Sequence, residues 1–327
     1  TFRTAGPSAM SIQVGLEDDL SAMLLDNDVD PEVPEGTEYY LPAGSSYRVT
    51  PFSLMKGFRL AGSRDGVKPV VVLEGSWSIA EGSYLSSLEF DNIEFRHEAN
   101  NNYFMNTSKA YTIENVSFVN CDFISLRRGF WRHQSANAKY IMNLEMEGCR
   151  FEGCGWQTSA YGAFNLQSFD KDNGVSYDQV DRAIFRNCTF SNDNDGTNGY
   201  GWGNLFYAPY MDKPIDLEYK NVTIYNYSRN QRLINIESAV GSKLVMEGIL
   251  LASPCGDLFA IGANTTTTFS NNYTTADYTL GGKNMKATDL KITAAELFAD
   301  PANGDLTIKD TSSPIVSNRA GDTRWLP

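Results

Sequence analysis

Aromatic and amide residues recur at one position of a repeat that runs along this sequence and is described below. In the second strand of successive repeats, the residue predicted to face solvent is Trp131, Asn165, Phe206 or Asn235. Two residues further along, the same face would carry His133, Gln167 and Glu237. Aromatic rings stack on the apolar faces of sugar rings, and amides hydrogen-bond sugar hydroxyls. We interpret this face as a carbohydrate-binding surface; the alternative is that the aromatic residues only cover the fold.

Long insertions flank the same predicted face and carry further aromatic residues. These insertions include residues 156–161, 170–181 and 193–202. They supply Trp156, Tyr200 and Trp202, which we expect to wall a groove along the face. The alternative is again structural, with the rings stabilising their own loops.

The charge of the chain restricts its partners. The net charge of −13 argues against a nucleic-acid partner, because binding a polyanion requires clustered positive charge. Arginines nevertheless concentrate near the predicted face, where we single out Arg128 and Arg232 as contacts. Guanidinium groups pair with carboxylates, which favours an acidic polysaccharide. Salt bridges to neighbouring acidic loops are the competing interpretation.

Catalytic residues cannot be assigned from spacing. A glycosidase needs two carboxyl groups roughly 5–10 Å apart. His133 and Glu237 would lie three rungs apart, about 14 Å at roughly 4.8 Å per rung, so they cannot form a dyad. A lyase needs one base and one charge neutraliser; His133 or an arginine could serve as one of them, but the sequence places no second group.

Two acidic loops resemble calcium loops in their alternation of oxygen donors. They carry Asp193 and Asp195 in one loop and Asp170 and Asp172 in the other. Neither completes the spacing of an EF-hand. We therefore expect ordinary polar turns and no cofactor, with calcium as the alternative.

A repeat positions all these residues. An apolar residue, an aromatic residue or Met, and then Asn or Gly recur in register, with equal steps between Asn92, Asn120 and Gly148. Period-two apolar alternation around each anchor indicates short strands, one rung per repeat. The anchors are corners that favour a left-handed backbone, so the sequons at Asn187 and Asn221 are expected to be corner residues rather than glycan acceptors. The pattern predicts an all-β fold, a single-stranded parallel β-helix.

The ends of such a coil need covers, because open rungs expose unpaired backbone. The helical spacing of Leu16, Leu20, Met23 and Leu24 predicts an N-terminal helical cap. We expect a linker from a preceding module over residues 1–9, the N-terminal cap over 10–34, the β-helix over 35–280 and a C-terminal cap over 281–327. The longest aliphatic run, Val70–Leu73, is far too short to span a bilayer.

Several segments resemble right-handed β-helix domains of the pectate-lyase-like superfamily. They are residues 40–44, residues 58–62, the Asn-Cys-x-Phe rungs, residues 298–305 and residues 320–325. More narrowly, the chain looks like the uncharacterised β-helix domains that end surface lipoproteins encoded with polysaccharide-utilisation genes of gut Bacteroidetes. The resemblance implies right-handed coiling, a preceding fibronectin-like module and an outer cell-surface location. The catalytic strings of pectate lyases and polygalacturonases are absent from the sequence.

These observations together predict a monomeric glycan-binding module of the cell surface, for pectic or other acidic glycans. The alternatives are a polysaccharide lyase of the same fold and a non-catalytic structural or adhesin-like solenoid. Fold alone does not decide among them.

Overall fold

A computed structural model describes residues 11–97, 103–126, 128–155, 162–192, 204–227, 232–252, 257–277 and 283–327 of the chain. Most of the regular structure in these residues is strand. The described helices are α1 (Leu20–Val29), α2 (Ala294–Leu297) and α3 (Pro314–Ser317), with 3₁₀ turns at Pro301–Asn303 and Thr323–Trp325. The predicted all-β class is confirmed.

Three parallel sheets contain most of the strands. Sheet 1 consists of β1 (Ile12–Gln13), β2 (Thr37–Leu41), β5 (Phe58–Gly62), β8 (Ser83–Asp91), β11 (Tyr111–Val119), β14 (Lys139–Glu147), β19 (Asp178–Arg186), β22 (Asp216–Lys220), β25 (Lys243–Glu247) and β28 (Thr266–Ser270). Sheet 2 consists of β3 (Ser46–Val49), β6 (Val70–Leu73), β9 (Glu94–His97), β12 (Asp122–Ile124), β15 (Arg150–Glu152), β20 (Thr189–Ser191), β23 (Thr223–Tyr225), β26 (Leu250–Ala252), β29 (Tyr273–Thr274) and β30 (Thr288–Asp289). Sheet 3 consists of β10 (Met105–Thr107), β13 (Trp131–His133), β16 (Gly162–Leu166), β21 (Asn204–Tyr207), β24 (Ile234–Ile236) and β27 (Phe259–Ile261).

Three short strand pairs complete the described strands. They are the parallel pair β4 (Ser53–Leu54) and β7 (Ser78–Ile79), the antiparallel hairpin β17 (Phe169–Asp170) and β18 (Val175–Ser176), and the antiparallel pair β31 (Phe298–Asp300) and β32 (Asp305–Ile308).

The chain visits the three sheets in turn. From β8 to β29, apart from the β17–β18 hairpin, successive strands belong to sheets 1, 2 and 3 and then return to sheet 1, where β11 pairs in parallel with β8. Each turn of the chain therefore adds one strand to each sheet. This topology is consistent with a parallel β-helix.

The core consists of side chains repeated in register along the sheets. Phe90 stacks on Phe118 of the next turn at 4.8 Å between ring centroids. Phe123 stacks on Phe151 at 4.7 Å. Parallel in-register pairing places equivalent side chains directly above one another, so one apolar pattern fills a continuous core.

The corners between sheets 1 and 2 use a left-handed backbone, as the sequence predicted. Asn92, Asn120, Asn187 and Asn221 have φ values of 57°, 52°, 49° and 53°. Gly148 and Gly248 fill the same position with φ values of 64° and 67°. Both sequon asparagines therefore lie at corners; Asn187 Nδ2 donates to Glu147 Oε1 at 2.6 Å.

The three cysteines at the repeat position are buried in the core, as expected. Cys121, Cys149 and Cys188 are fully buried and unpaired, and Cys149 Sγ donates to the carbonyl of Phe118 at 3.3 Å. Burial raises the pKa of the Cys121 and Cys149 thiols well above their ordinary value. These thiols are therefore unreactive at neutral pH.

Helix α1 packs against the first turns of the sheets. Leu20 and Leu24 are buried in the core, whereas Leu16, predicted to share the helix, is 67% exposed. The helix begins later because the Asp19 side chain caps it by accepting from the amide of Ala22. At its other end, the ammonium of Lys56 donates to backbone carbonyls of the segment 27–33.

The C-terminal segment forms a second small core on sheet 2. Leu250 and Tyr273 of sheet 2 pack with Leu297, Phe298 and other residues of the segment. Asp322 Oδ2 accepts from Thr189 Oγ1 at 2.7 Å, and the indole of Trp325 donates to the same hydroxyl at 2.7 Å. The segment is therefore fastened to the outer side of sheet 2.

Candidate functional site

The corner that leads into sheet 3 sets the register of the predicted face. Every turn enters the sheet with two successive buried apolar residues, for example Phe130–Trp131 and Leu205–Phe206. The chain bends at this corner, so the residue before the strand also points into the core. Phe104 and Phe130, which occupy that corner position, stack at 5.1 Å.

The pairing within sheet 3 defines two columns of residues. The inward column is Met105, Trp131, Phe164, Phe206, Ile234 and Phe259. The next residue of each strand forms the outward column, which we call the amide column: Asn106, Arg132, Asn165, Tyr207, Asn235 and Ala260. The inward residues all belong to the hydrophobic core.

The predicted outward positions of three residues are therefore wrong. Trp131, His133 and Phe206 are fully buried. The predicted repeat placed Trp131 and Asn165 at the same position, whereas Trp131 pairs with Phe164 and Arg132 pairs with Asn165. A shift of one residue turns a strand's side chains to the opposite face. These three residues cannot contact a ligand on the outer face.

The two predicted asparagines do lie in the amide column. Asn165 and Asn235 are 3% and 5% exposed. Asn165 Oδ1 accepts from Gln167 Nε2, and Asn235 Oδ1 accepts from the amide of Glu237 at 3.3 Å. Within the described part of the chain, neither asparagine Nδ2 has a hydrogen-bond partner. These two Nδ2 groups are unpaired donors in the described residues, each on a side chain that is almost fully buried.

Asn106, at the start of the amide column, was missed by the sequence reading. Its Oδ1 is buried and has no hydrogen-bond partner among the described residues. A buried amide oxygen without a partner costs free energy unless a ligand or water satisfies it. The sequence signal that could have identified Asn106 is its position directly after Met105, in the strand that precedes the strand of Arg132 in sheet 3.

Gln167 and Glu237 flank the amide column as exposed side chains. Glu237 lies three strand pairings from β13, as the sequence spacing predicted, and it faces solvent while His133 faces the core. The two therefore cannot act as an acid–base pair.

The arginines near the face have different surroundings. Arg132, in the amide column, lies over the ring of Tyr103 with its Cζ 5.5 Å from the ring centroid. Arg128 is half-buried, and Arg232 is exposed just before β24. A cation–π contact orients a guanidinium without neutralising its charge.

Aromatic residues also line the described part of the face. Tyr207 is half-buried in the amide column. Burial and the nearby charge of Glu237 raise the pKa of Tyr207, so it remains a neutral hydroxyl donor at neutral pH. Phe169 of the β17–β18 hairpin stacks on Tyr210 at 4.3 Å between centroids. This hairpin begins one residue before the predicted insertion 170–181 and ends within it.

His133 takes part in a buried hydrogen-bond chain behind the face. Its Nδ1 lies 2.7 Å from Asp178 Oδ1, and its Nε2 lies 2.6 Å from the hydroxyl of Tyr111. The indole of Trp131 donates to that same hydroxyl at 3.3 Å. Since Nδ1 donates to the carboxylate, Nε2 accepts from Tyr111, and every member of the chain is paired.

Burial favours the neutral imidazole of His133, against the attraction of the Asp178 carboxylate. Burial lowers the pKa of His133. The carboxylate of Asp178 also accepts from the amide of Ser168 at 2.7 Å, and burial lowers the pKa of neighbouring Lys139 to about 8. Trp131 and His133, which the sequence predicted as binding residues, thus have a structural role in the core.

The remaining predicted residues fall outside this description or in turns. Trp156, Tyr200, Trp202, Asp193 and Asp195 lie outside the described residues. Asp170 is the last residue of β17, and its carboxylate accepts from the amides of Asp172 and Asn173 in the hairpin turn. These bonds lower the pKa of Asp170. Among the described residues, no group of three or more His, Cys, Asp or Glu side chains could hold a metal ion.

Comparisons with known proteins give no family for this chain: no family model matches it, and no curated protein matches it. None of the described helices is long and apolar enough to cross a membrane.

Proposed function

We propose that the chain is a glycan-binding domain that holds a polysaccharide on the outer face of sheet 3. The single observation that supports this most is that the side-chain amides of Asn106, Asn165 and Asn235, in one outward column, each keep a group unpaired among the described residues. Sugars bind to proteins through convergent amide contacts combined with aromatic surfaces. Tyr207 and the Phe169–Tyr210 pair supply the aromatic surfaces on the same side.

The architecture in this proposal is a right-handed parallel β-helix. Parallel crossovers within one sheet are right-handed in about 98% of cases. Helix α1 then acts as the N-terminal cap, because it buries Leu20 and Leu24 against the first turns. The resemblance to surface lipoproteins supports a cell-surface location, and a monomeric state is a further part of this proposal.

A binding role is favoured over a polysaccharide lyase. A lyase requires a group able to remove a proton from the sugar. His133 is buried away from the face, and the raised pKa of Tyr207 opposes its action as a base at neutral pH. Neither residue therefore serves as that base in the arrangement described.

The proposal is tested by binding to a panel of neutral and acidic polysaccharides, measured by affinity electrophoresis. We expect at least one polysaccharide to retard the protein, without new ultraviolet absorbance from unsaturated uronates. Tyr207→Ala should weaken binding by roughly 1–3 kcal/mol, by analogy with stacking of bases on aromatic side chains.

The matched control is Asn143→Ala. Asn143 is an exposed asparagine on the outer side of sheet 1, where its amide donates to Asn115 Oδ1 at 3.3 Å. This variant should bind like the parent protein. Absence of binding to every polysaccharide would contradict the proposal, and growth of unsaturated uronate absorbance would replace it with a lyase.

A further inference from the structure

The amide column alternates in its chemistry from one rung to the next. Asn106, Asn165 and Asn235 occupy every second strand of sheet 3, whereas Arg132 and Tyr207 occupy the strands between them. The asparagines are therefore separated by two rungs, about 10 Å at roughly 4.8 Å per strand. A sugar residue in an extended polysaccharide is similar in length to one rung.

Arg132 differs from three other half-buried arginines of the protein. Arg59, Arg150 and Arg186 are half-buried and each pairs with at least one carboxylate. Arg132 is also half-buried, yet in the described part of the chain it has no carboxylate partner. Its charge is held over Tyr103 and is not neutralised there. Such a guanidinium suits an anionic group of a ligand.

Resting on the proposed function, we infer that the ligand is a linear polysaccharide with a disaccharide repeat, in which uncharged and anionic sugars alternate. The uncharged sugars lie against Asn106, Asn165 and Asn235, whose amides bond hydroxyl or acetamido groups. An anionic sugar lies against Arg132, and the next one lies against the hydroxyl of Tyr207, whose surroundings include the cation of Arg232 as well as the carboxylate of Glu237. The chain of the ligand runs across the strands, one sugar per rung.

A polymer with a charge on every residue fits this column poorly. Its carboxylates would fall opposite asparagine rungs as well as opposite Arg132, where no cation of the column meets them. Glu237 is exposed beside Asn235 and repels an anionic group there. The alternation thus selects between classes of acidic polysaccharide.

Three polymers of similar length test the inference by calorimetric titration. They are an alternating uronate–N-acetylhexosamine polymer, a 1,4-linked polyuronate and a neutral 1,4-linked glucan. We expect the alternating polymer to bind most tightly. Arg132→Gln should reduce its affinity roughly ten- to a hundredfold, the effect of losing one charge-assisted hydrogen bond, while leaving the affinity for the neutral glucan unchanged.

The control for this variant is Arg96→Gln, which removes an exposed arginine of sheet 2 that pairs with Glu94. It should leave all three affinities unchanged. Equal or tighter binding of the polyuronate or the glucan would overturn the alternation while leaving glycan binding intact. An equal loss for all three polymers in Arg132→Gln would also overturn it. Absence of binding to any of the three, together with failure of the wider panel, would overturn the proposed function itself.

Discussion

His133 Nδ1 and Asp178 Oδ1 lie 2.7 Å apart inside the protein, with both side chains fully buried. This contact joins β13 of sheet 3 to β19 of sheet 1. Asp178 also accepts from the amide of Ser168, at the start of the β17–β18 hairpin. One buried carboxylate thus fixes a strand of the candidate face and the hairpin beside it.

The buried imidazole makes stability depend on pH. Burial lowers the folded-state pKa of His133 below its ordinary value of 6.5. The unfolded chain then binds more protons than the folded chain as the pH falls below about 6.5, so the free energy of unfolding decreases in that range. The groups facing His133 are Asp178, Tyr111 and, further away, Lys139.

Urea unfolding between pH 5 and pH 7.5 measures this loss of stability. His133→Gln keeps a donor and an acceptor but cannot titrate, so its pH dependence should be weaker than that of the parent. His97→Gln is measured in the same way, because burial lowers the pKa of His97 as well and the contributions of the two histidines to the pH dependence must be separated. An unchanged pH dependence in His133→Gln would contradict the assignment of a neutral, buried His133.

Trp131 tests the corrected register of sheet 3. Because it is fully buried, Trp131→Ala should cost roughly 3–5 kcal/mol of unfolding free energy by leaving a cavity. Exposed Gln167→Ala on the same sheet should change stability by only about 0.5 kcal/mol. Chemical denaturation of both variants makes the comparison; a Trp131→Ala protein as stable as the parent would place this side chain outside the core.

The corner asparagines should prefer glycine to alanine as a replacement. Asn221 has φ of 53°, a conformation that costs a residue with a Cβ roughly 1–2 kcal/mol. Asn221→Ala should therefore be less stable than Asn221→Gly, since Gly148 and Gly248 fill the equivalent corners. Thermal unfolding measures the difference. Equal melting temperatures would show that the left-handed backbone does not limit this position.

Thr189 should hold the C-terminal segment against sheet 2. Its hydroxyl donates to Asp322 and accepts from the indole of Trp325. Thr189→Val removes both bonds with little change in volume, so amides of residues 305–326 should exchange hydrogen faster. Thr307→Val is the control, since Thr307 lies in the same segment and is half-exposed. Unchanged exchange in Thr189→Val would contradict the fastening role of this hydroxyl.

The fold could be predicted from the repeat because each turn buries apolar residues at the same positions. The equal steps from Asn92 to Gly148 and the Phe90–Phe118 stack express one parallel register. Side-chain direction at the start of β13 could not be predicted, because Phe130 and Trp131 are both apolar and both buried. Periodicity cannot identify which of two adjacent apolar residues belongs to the corner.

The candidate site was predicted only in part, because the same ambiguity between adjacent apolar residues affects other strands of sheet 3. Strands β16 and β24 were aligned correctly, so Asn165 and Asn235 were placed on the outward column. Strands β13 and β21 were shifted by one residue, which hid Arg132 and Tyr207. The Asp178 partner of His133 is distant in sequence, and only the coiling of the chain from sheet 3 to sheet 1 brings the two together.

Chemical-shift mapping of side-chain amides tests the central proposal most directly. An isotope-labelled protein is titrated with a glycan that binds in the panel, and the Asn Nδ2 resonances are followed. We predict shifts for Asn106, Asn165 and Asn235 of sheet 3, with Asn115 and Asn143 on the outer side of sheet 1 unmoved. Shifts confined to Asn115 and Asn143, or binding that leaves all three asparagines of sheet 3 unmoved, would contradict binding on the outer face of sheet 3.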